Sequence, residues 1–202
     1  MSQEEICWNK IINSTMNTFS VVYGEAASGK TSFVLSLAKR WLDKQTIGYL
    51  NTEGEINSVR VLQILGNHAR YLYVEVRDII SELFGVMELD NLGMNIMLID
   101  SVNSLYRLEM AIDERMASIA FSLILALLKK LSMNKKTIIA TSQVAMEEAV
   151  PSGLVFIKRY ADNLIRIHKS ERDSSRVIYI NDVYFGKGLI EDKGFGWISC
   201  QA

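Results

Sequence analysis

Apolar and polar positions along the chain change period several times, and each change marks an element. Residues 19–23 (Phe-Ser-Val-Val-Tyr) are β-branched and aromatic and read as a short buried strand, while over 33–42 the apolar residues recur at helical spacing. Strand patterns return at 46–51, 71–76, 95–100 and 137–141, the fourth of the five strands being apolar up to its terminal Asp100. Between them lie helical stretches at 58–66, at 78–88 with Asp78 as N-cap, and at 111–132. In the last, apolar positions 112, 116, 119, 120, 123, 124, 127, 128 and 131 sweep more than one face, which predicts a well-buried helix. Residues 1–18 form a lead-in with a helix around 6–12; 163–167 and 176–180 pair as a hairpin around Asp173-Ser174-Ser175; a last short strand covers 196–199. Strands alternating with helices, then antiparallel strands, predict one α/β domain over 1–202. Its sheet should be mostly parallel, flanked by helices and extended by antiparallel strands at the C-terminus.

Between the first strand and its helix stands G-E-A-A-S-G-K-T, a complete G-x-x-x-x-G-K-[ST]. Glycines let such a loop wrap closely, so that successive backbone N–H groups face phosphate oxygens, and the helix N-terminus adds partial positive charge. The pattern assigns Gly24, Glu25, Ala26, Ala27, Ser28, Gly29, Lys30, Thr31 and Ser32 to a nucleoside triphosphate, with Lys30 reaching the β- and γ-phosphates and the Thr31 hydroxyl on Mg²⁺. In open α/β sheets, ligands gather at the carboxyl ends of the strands. Four predicted strands end there in polar groups: the phosphate loop, Glu53, Asp100 and Gln143. Asp100 suits a carboxylate that holds Mg²⁺, and Glu53 one that orients or deprotonates the attacking water.

Composition narrows the picture. Of 202 residues, 49% are hydrophobic and 22% charged, which is ordinary for a globular chain with a real core. A net charge of −1 gives no global attraction to nucleic acid, so any such contact needs a local patch; Lys129-Lys130, Lys135-Lys136 and Lys158-Arg159 are candidate basic pairs. Cys7 and Cys200 stand alone at opposite ends without C-x-x-C spacing, which argues against a disulfide framework or zinc site and suits a reducing cytosol. The polar, acidic start shows no signal peptide, and the apolar run 119–128 is about half the roughly 20 residues of a membrane span. The expectation is a soluble, cytoplasmic protein without a membrane partner. Tyr71, Tyr73, Tyr106 and Tyr179 read as core packing rather than base-stacking surfaces, and Met110 and Met116 as gap fillers.

The order G-E-A-A-S-G-K-T, then Y-L-N-T-E-G at 49–54, then L-I-D-S at 98–101 continued by Leu105-Tyr106-Arg107, then T-S-Q-V at 141–144 resembles the RecA/RadA family of strand-exchange ATPases. The likeness runs from about residue 18 to 180 and is greatest to archaeal RadA paralogs that consist of the ATPase core alone. It implies a RecA-like P-loop fold and slow ATP hydrolysis, with Glu53 as the catalytic carboxylate, Gln143 as sensor of the γ-phosphate and Arg60 stacked on adenine. It also implies ATP bound between subunits, and as partners a RadA-type recombinase or another paralog, with single-stranded DNA as a further candidate.

Departures accompany the likeness. No helix-hairpin-helix segment and no F-x-x-A motif stands ahead of residue 18. The first DNA loop, after Arg107, is short and keeps Arg115 as its basic contact. The second, over 144–153, carries Glu147 and Glu148, which repel a phosphate backbone. Tyr160 stands where the family has histidine, and 187–196 does not clearly reproduce its nucleotide cap. Three readings follow: a weakly hydrolysing paralog that modulates recombination and repair, a non-catalytic nucleotide switch that binds a recombinase, and a KaiC-like stand-alone ATPase. Glu55, one residue beyond the T-E-G, matches the paired glutamates of the last group poorly.

Overall fold

The computed structural model describes residues 1–42, 45–54, 58–66, 70–144 and 151–201, with the backbone alone at 58 and 59. The first helix, α1 (Gln3–Thr15), starts from a capping box in which Ser2 and Glu5 satisfy each other's backbone N–H. There follow β1 (Phe19–Gly24), α2 (Lys30–Leu42), β2 (Ile47–Asn51), α3 (Ser58–Leu65), β3 (Tyr71–Glu75), α4 (Ile79–Asn91) and β4 (Ile96–Asp100). The second half runs α5 (Ser104–Met110), α6 (Glu114–Met133), β5 (Thr137–Gln143), α7 (Leu154–Tyr160), β6 (Asn163–Lys169), β7 (Arg176–Ile180), β8 (Val183–Glu191) and β9 (Gly194–Cys200).

Among the described residues, nine strands join one sheet in the order β3-β2-β4-β5-β1-β6-β7-β8-β9. Pairing is parallel from β3 through β6 and antiparallel from β6 to β9, which is the mostly parallel α/β sheet with a C-terminal antiparallel extension. The two-residue period of the strands divides the core into two clusters. On β4, Ile96 and Leu98 face one and Met97 and Ile99 the other. The first cluster packs under α1, α2, α3 and the β9 aromatics, the second under α4, α5, α6 and α7.

Several expectations need correction. Cys7 and Cys200 form a disulfide, with Cα atoms 5.7 Å apart, because β9 returns along the sheet to lie against α1. Distance along the chain concealed that proximity. The predicted 111–132 helix is α6, which begins a few residues later because Asp113 caps it by accepting from the Met116 N–H, and a separate helix, α5, precedes it. Only one side of α6 is buried, through Ala117, Phe121, Ile124, Leu125 and Leu128, and Met116, Ile119 and Leu123 are exposed. Met116 is therefore no gap filler, whereas Met110 packs on the second cluster. By length and composition α6 could cross a membrane, which the 119–128 run alone did not suggest; here it packs against α4, α5 and α7. Tyr106 is buried and stacked on Phe121 at 4.2 Å, but Tyr73 is exposed. α5, α7 and β8 lay outside the sequence reading. Most of the second loop, with Glu147 and Glu148, and also Glu55, lie outside the described residues.

Two of the basic pairs have a lysine in a local ion pair. Lys129 pairs with Asp162, and Lys136 with Asp90. With Lys130 and Lys135 they sit at the C-terminal end of α6 and the start of β5, at the opposite end of the strands from Gln143.

Candidate functional site

β2, β4, β5 and β1 are consecutive in the sheet, so their carboxyl ends present Glu53, Asp100, Gln143 and the glycine loop side by side. The loop needs its glycines. A Cβ on Gly24 would run into the Ile167 carbonyl, and Gly29 takes φ +96° beneath the Ile190 side chain. Ala27 also sits in the left-handed region, at φ 55°. The loop is gripped from β6 and β7: the Lys169 N–H donates to the Glu25 carboxylate at 3.3 Å, and Arg176 Nε donates to the Ser28 carbonyl at 3.0 Å. Ala26 is exposed.

Lys30 opens α2 and folds back over the loop, donating to the carbonyls of Gly24 at 2.9 Å and Glu25 at 3.0 Å. Burial lowers the pKa of its ammonium, while the Glu53, Asp100 and Glu25 carboxylates act in the opposite sense. Thr31 Oγ1 donates to Asp100 Oδ2 at 3.0 Å, and Tyr49 OH donates to the same oxygen at 2.7 Å. Thr141 Oγ1 donates to the other carboxylate oxygen. Burial, reinforced by the Asp100 charge, pushes the Tyr49 phenol well above its ordinary pKa and keeps it a neutral donor. Ends of neighbouring strands are tied as well, through Thr52 Oγ1, which accepts from the Ser101 N–H at 2.9 Å.

Glu53 is exposed and accepts from Gln143 Nε2 at 2.8 Å. The Gln143 backbone is clamped by the Asn103 amide, which donates to its carbonyl at 2.9 Å and accepts from its N–H at 3.0 Å. Arg60 is held in place by hydrogen bonds. Its guanidinium bonds Ser32 Oγ at 3.0 Å and the carbonyls of Glu191 and Asp192 at 2.8 Å, tying the start of α2 to the β8–β9 turn. Thus the 187–196 stretch, which offered no clear cap in the sequence, leans on α2, where the Phe195 N–H donates to Ser36 Oγ at 2.7 Å.

These residues fit a nucleoside triphosphate with Mg²⁺. The N–H groups in the first turn of α2 lack the carbonyls a longer helix would supply, and Ser28 Oγ is buried without a hydrogen-bond partner among the described residues. Thr31 and Asp100 offer the adjacent hard oxygens that Mg²⁺ takes while keeping several waters. Among the described residues no cluster of three or more His, Cys, Asp or Glu could hold a metal, so phosphate and water oxygens would complete the shell. Asn103 was absent from the sequence reading, and Tyr49 and Thr141 entered it as motif letters without a role of their own. Asn103 stands at the N-cap of α5, in the turn after β4, and only the strand order brings the three to Asp100 and Gln143.

No protein-family model matches the chain. It is 27% identical over 177 residues to a DNA repair and recombination protein RadB of Methanococcus maripaludis, covering 79% of this chain and 80% of that protein. The RadB of Archaeoglobus fulgidus is 27% identical over 150 residues, covering 68% and 67%. That of Methanocaldococcus jannaschii is 25% identical over 183 residues, covering 82% and 85%. The crystal structure of the RadB recombinase superposes with a TM-score of 0.68 at 19% identity, over 90% of both chains. In sequence and in fold, the chain resembles RadB, a paralog within the RecA/RadA recombinase family.

Proposed function

We propose that the chain is an ATP-binding, weakly hydrolysing RadA paralog that acts in homologous recombination and DNA repair. One observation carries the reading: Thr31 and Asp100 meet at 3.0 Å beneath a glycine loop that also holds Lys30. That is the arrangement a triphosphate and its Mg²⁺ require. Thr31 and Asp100 would hold Mg²⁺, which supplies charge neutralisation across the β- and γ-phosphates. Lys30 would exchange its loop carbonyls for phosphate oxygens. Glu53 would take a proton from water as the water oxygen attacks the γ-phosphorus and the bond to the β,γ-bridging oxygen breaks.

Glu53 stands open to solvent, which supports slow turnover by the chain alone, since bulk water weakens every charge interaction in the site. The partner in this reading is a RadA-type recombinase or another paralog, with single-stranded DNA as a second ligand. The place of action is the cytoplasm. The Cys7–Cys200 bond is the feature that stands against it, since disulfides are rare in cytosolic proteins outside hyperthermophiles.

Nucleotide affinity measured with a fluorescent ATP analogue, beside steady-state phosphate release with and without single-stranded DNA, tests this. Lys30→Ala should abolish binding. Glu53→Gln should bind normally and lose roughly 100-fold or more in turnover. ATP bound without any wild-type turnover would replace the enzyme by a nucleotide switch, and no binding would end the reading.

A further inference from the structure

Gln143 is held by a third group besides Asn103 and Glu53. Arg107 Nη1, from α5, donates to Gln143 Oε1 at 3.2 Å, while Gln143 Nε2 donates to Glu53 Oε1 at 2.8 Å. A cation on one side and a carboxylate on the other leave the amide one acceptable orientation. Reversed, it would set its oxygen against the Glu53 carboxylate and its NH₂ against the guanidinium, two mismatches in place of two charge-assisted bonds. Asn103 and Arg107 lie one helical turn apart, joined by a backbone bond from Arg107 N to Asn103 O at 3.1 Å. A single short element therefore holds both the main chain and the side chain of Gln143.

We propose that Arg107 is a positioning residue for the hydrolytic site: it sets the polarity of the Gln143 amide, so that its NH₂ faces Glu53 and, through it, the attacking water. Arg107 touches none of the reacting atoms, and its effect passes through Gln143. The inference rests on the proposed ATPase reading for its consequence in turnover, but not for the geometry it asserts.

The test uses the intact chain and two readouts. In the nucleotide-free protein, the Gln143 side-chain amide is found in ¹H–¹⁵N spectra as the signal lost in Gln143→Leu. Arg107→Ala should move that signal, and Arg107→Lys should restore much of its position. In ATP hydrolysis, Arg107→Ala should lower kcat roughly 10-fold with KM within about twofold. In a Gln143→Leu background it should cost nothing further. An unmoved amide signal in Arg107→Ala, or a full additional loss in the Gln143→Leu background, overturns the proposal. If the wild type hydrolyses no ATP, the ATPase reading falls, and the amide signal still decides the role of Arg107.

Discussion

The two faces of the sheet are finished differently. Under α1 and α2 the core is closed: Trp8, Phe33, Phe195 and Trp197 contact one another with ring centroids 5.0–6.1 Å apart. The Cys7–Cys200 bond joins the first helix to the last strand over the same cluster. Under α4 and α6 the core is packed from one side only. Phe84 is 61% and Leu123 54% exposed, while Glu82 on α4 is fully buried with neither carboxylate oxygen hydrogen-bonded among the described residues. The closed face is the one that bears α2, the helix that begins at Lys30. The chain termini are thus used to hold the frame of the phosphate loop, and the apolar material of the other face exceeds what its own packing consumes.

Unlocking the closed face should give the largest effect. The bond closes a sequence separation of 193 residues, and the chain-entropy estimate for so long a loop is about 5 kcal/mol. The double variant Cys7→Ser/Cys200→Ser should lose roughly 3–5 kcal/mol in urea unfolding. Dithiothreitol should bring the wild type down to the same level and leave the variant unchanged. A wild type whose midpoint ignores reductant would show that the two ends do not need the bond.

On the other face, Glu82 should be the weak point. Burial pushes its pKa well above the ordinary carboxylate value, so the folded chain holds a proton that the unfolded chain releases. Its contribution is fully present below the ordinary value near 4.5 and is lost as pH rises toward the folded value. Glu82→Met keeps the volume and removes the cost, and should stabilise by roughly 1–3 kcal/mol. The gain should be larger at pH 8 than at pH 5. An equal gain at both, or a loss, would mean that the carboxylate has a partner.

What the sequence revealed follows the same division. The parallel strands and the loop were readable because each is local: a β-branched run, a glycine turn, an apolar run ending in Asp100. The closed face was not, because its parts come from opposite ends of the chain, and nothing near Cys7 points to Cys200. β8 was hidden by Gly186 and Gly188, which break a strand pattern. They are there because β9 lies so close that a Cβ on either would overlap it. Tyr49 and Thr141 stood in motifs without a role of their own, since their bonds to Asp100 depend on β4 lying between β2 and β5. In α6 the error had the opposite sign: apolar residues all round a helix imply burial all round, yet nothing in the described chain covers Met116, Ile119 and Leu123.

That uncovered surface gives the smallest expected change and the sharpest contrast with the closed face. An exposed apolar side chain has already forgone its transfer gain, so making it polar has little to remove. Phe84→Gln and Leu123→Gln should each shift the unfolding free energy by no more than about 0.5 kcal/mol. Buried Leu125→Ala, on the other side of the same helix, should cost about 2–5 kcal/mol. Measuring the three together separates two accounts of α6. If the exposed positions are neutral and Leu125 is costly, the helix is anchored from the sheet side alone. If Leu123→Gln costs more than about 1 kcal/mol, its side chain is covered in solution, and repeating the unfolding at several protein concentrations tells whether the cover is another copy of the chain.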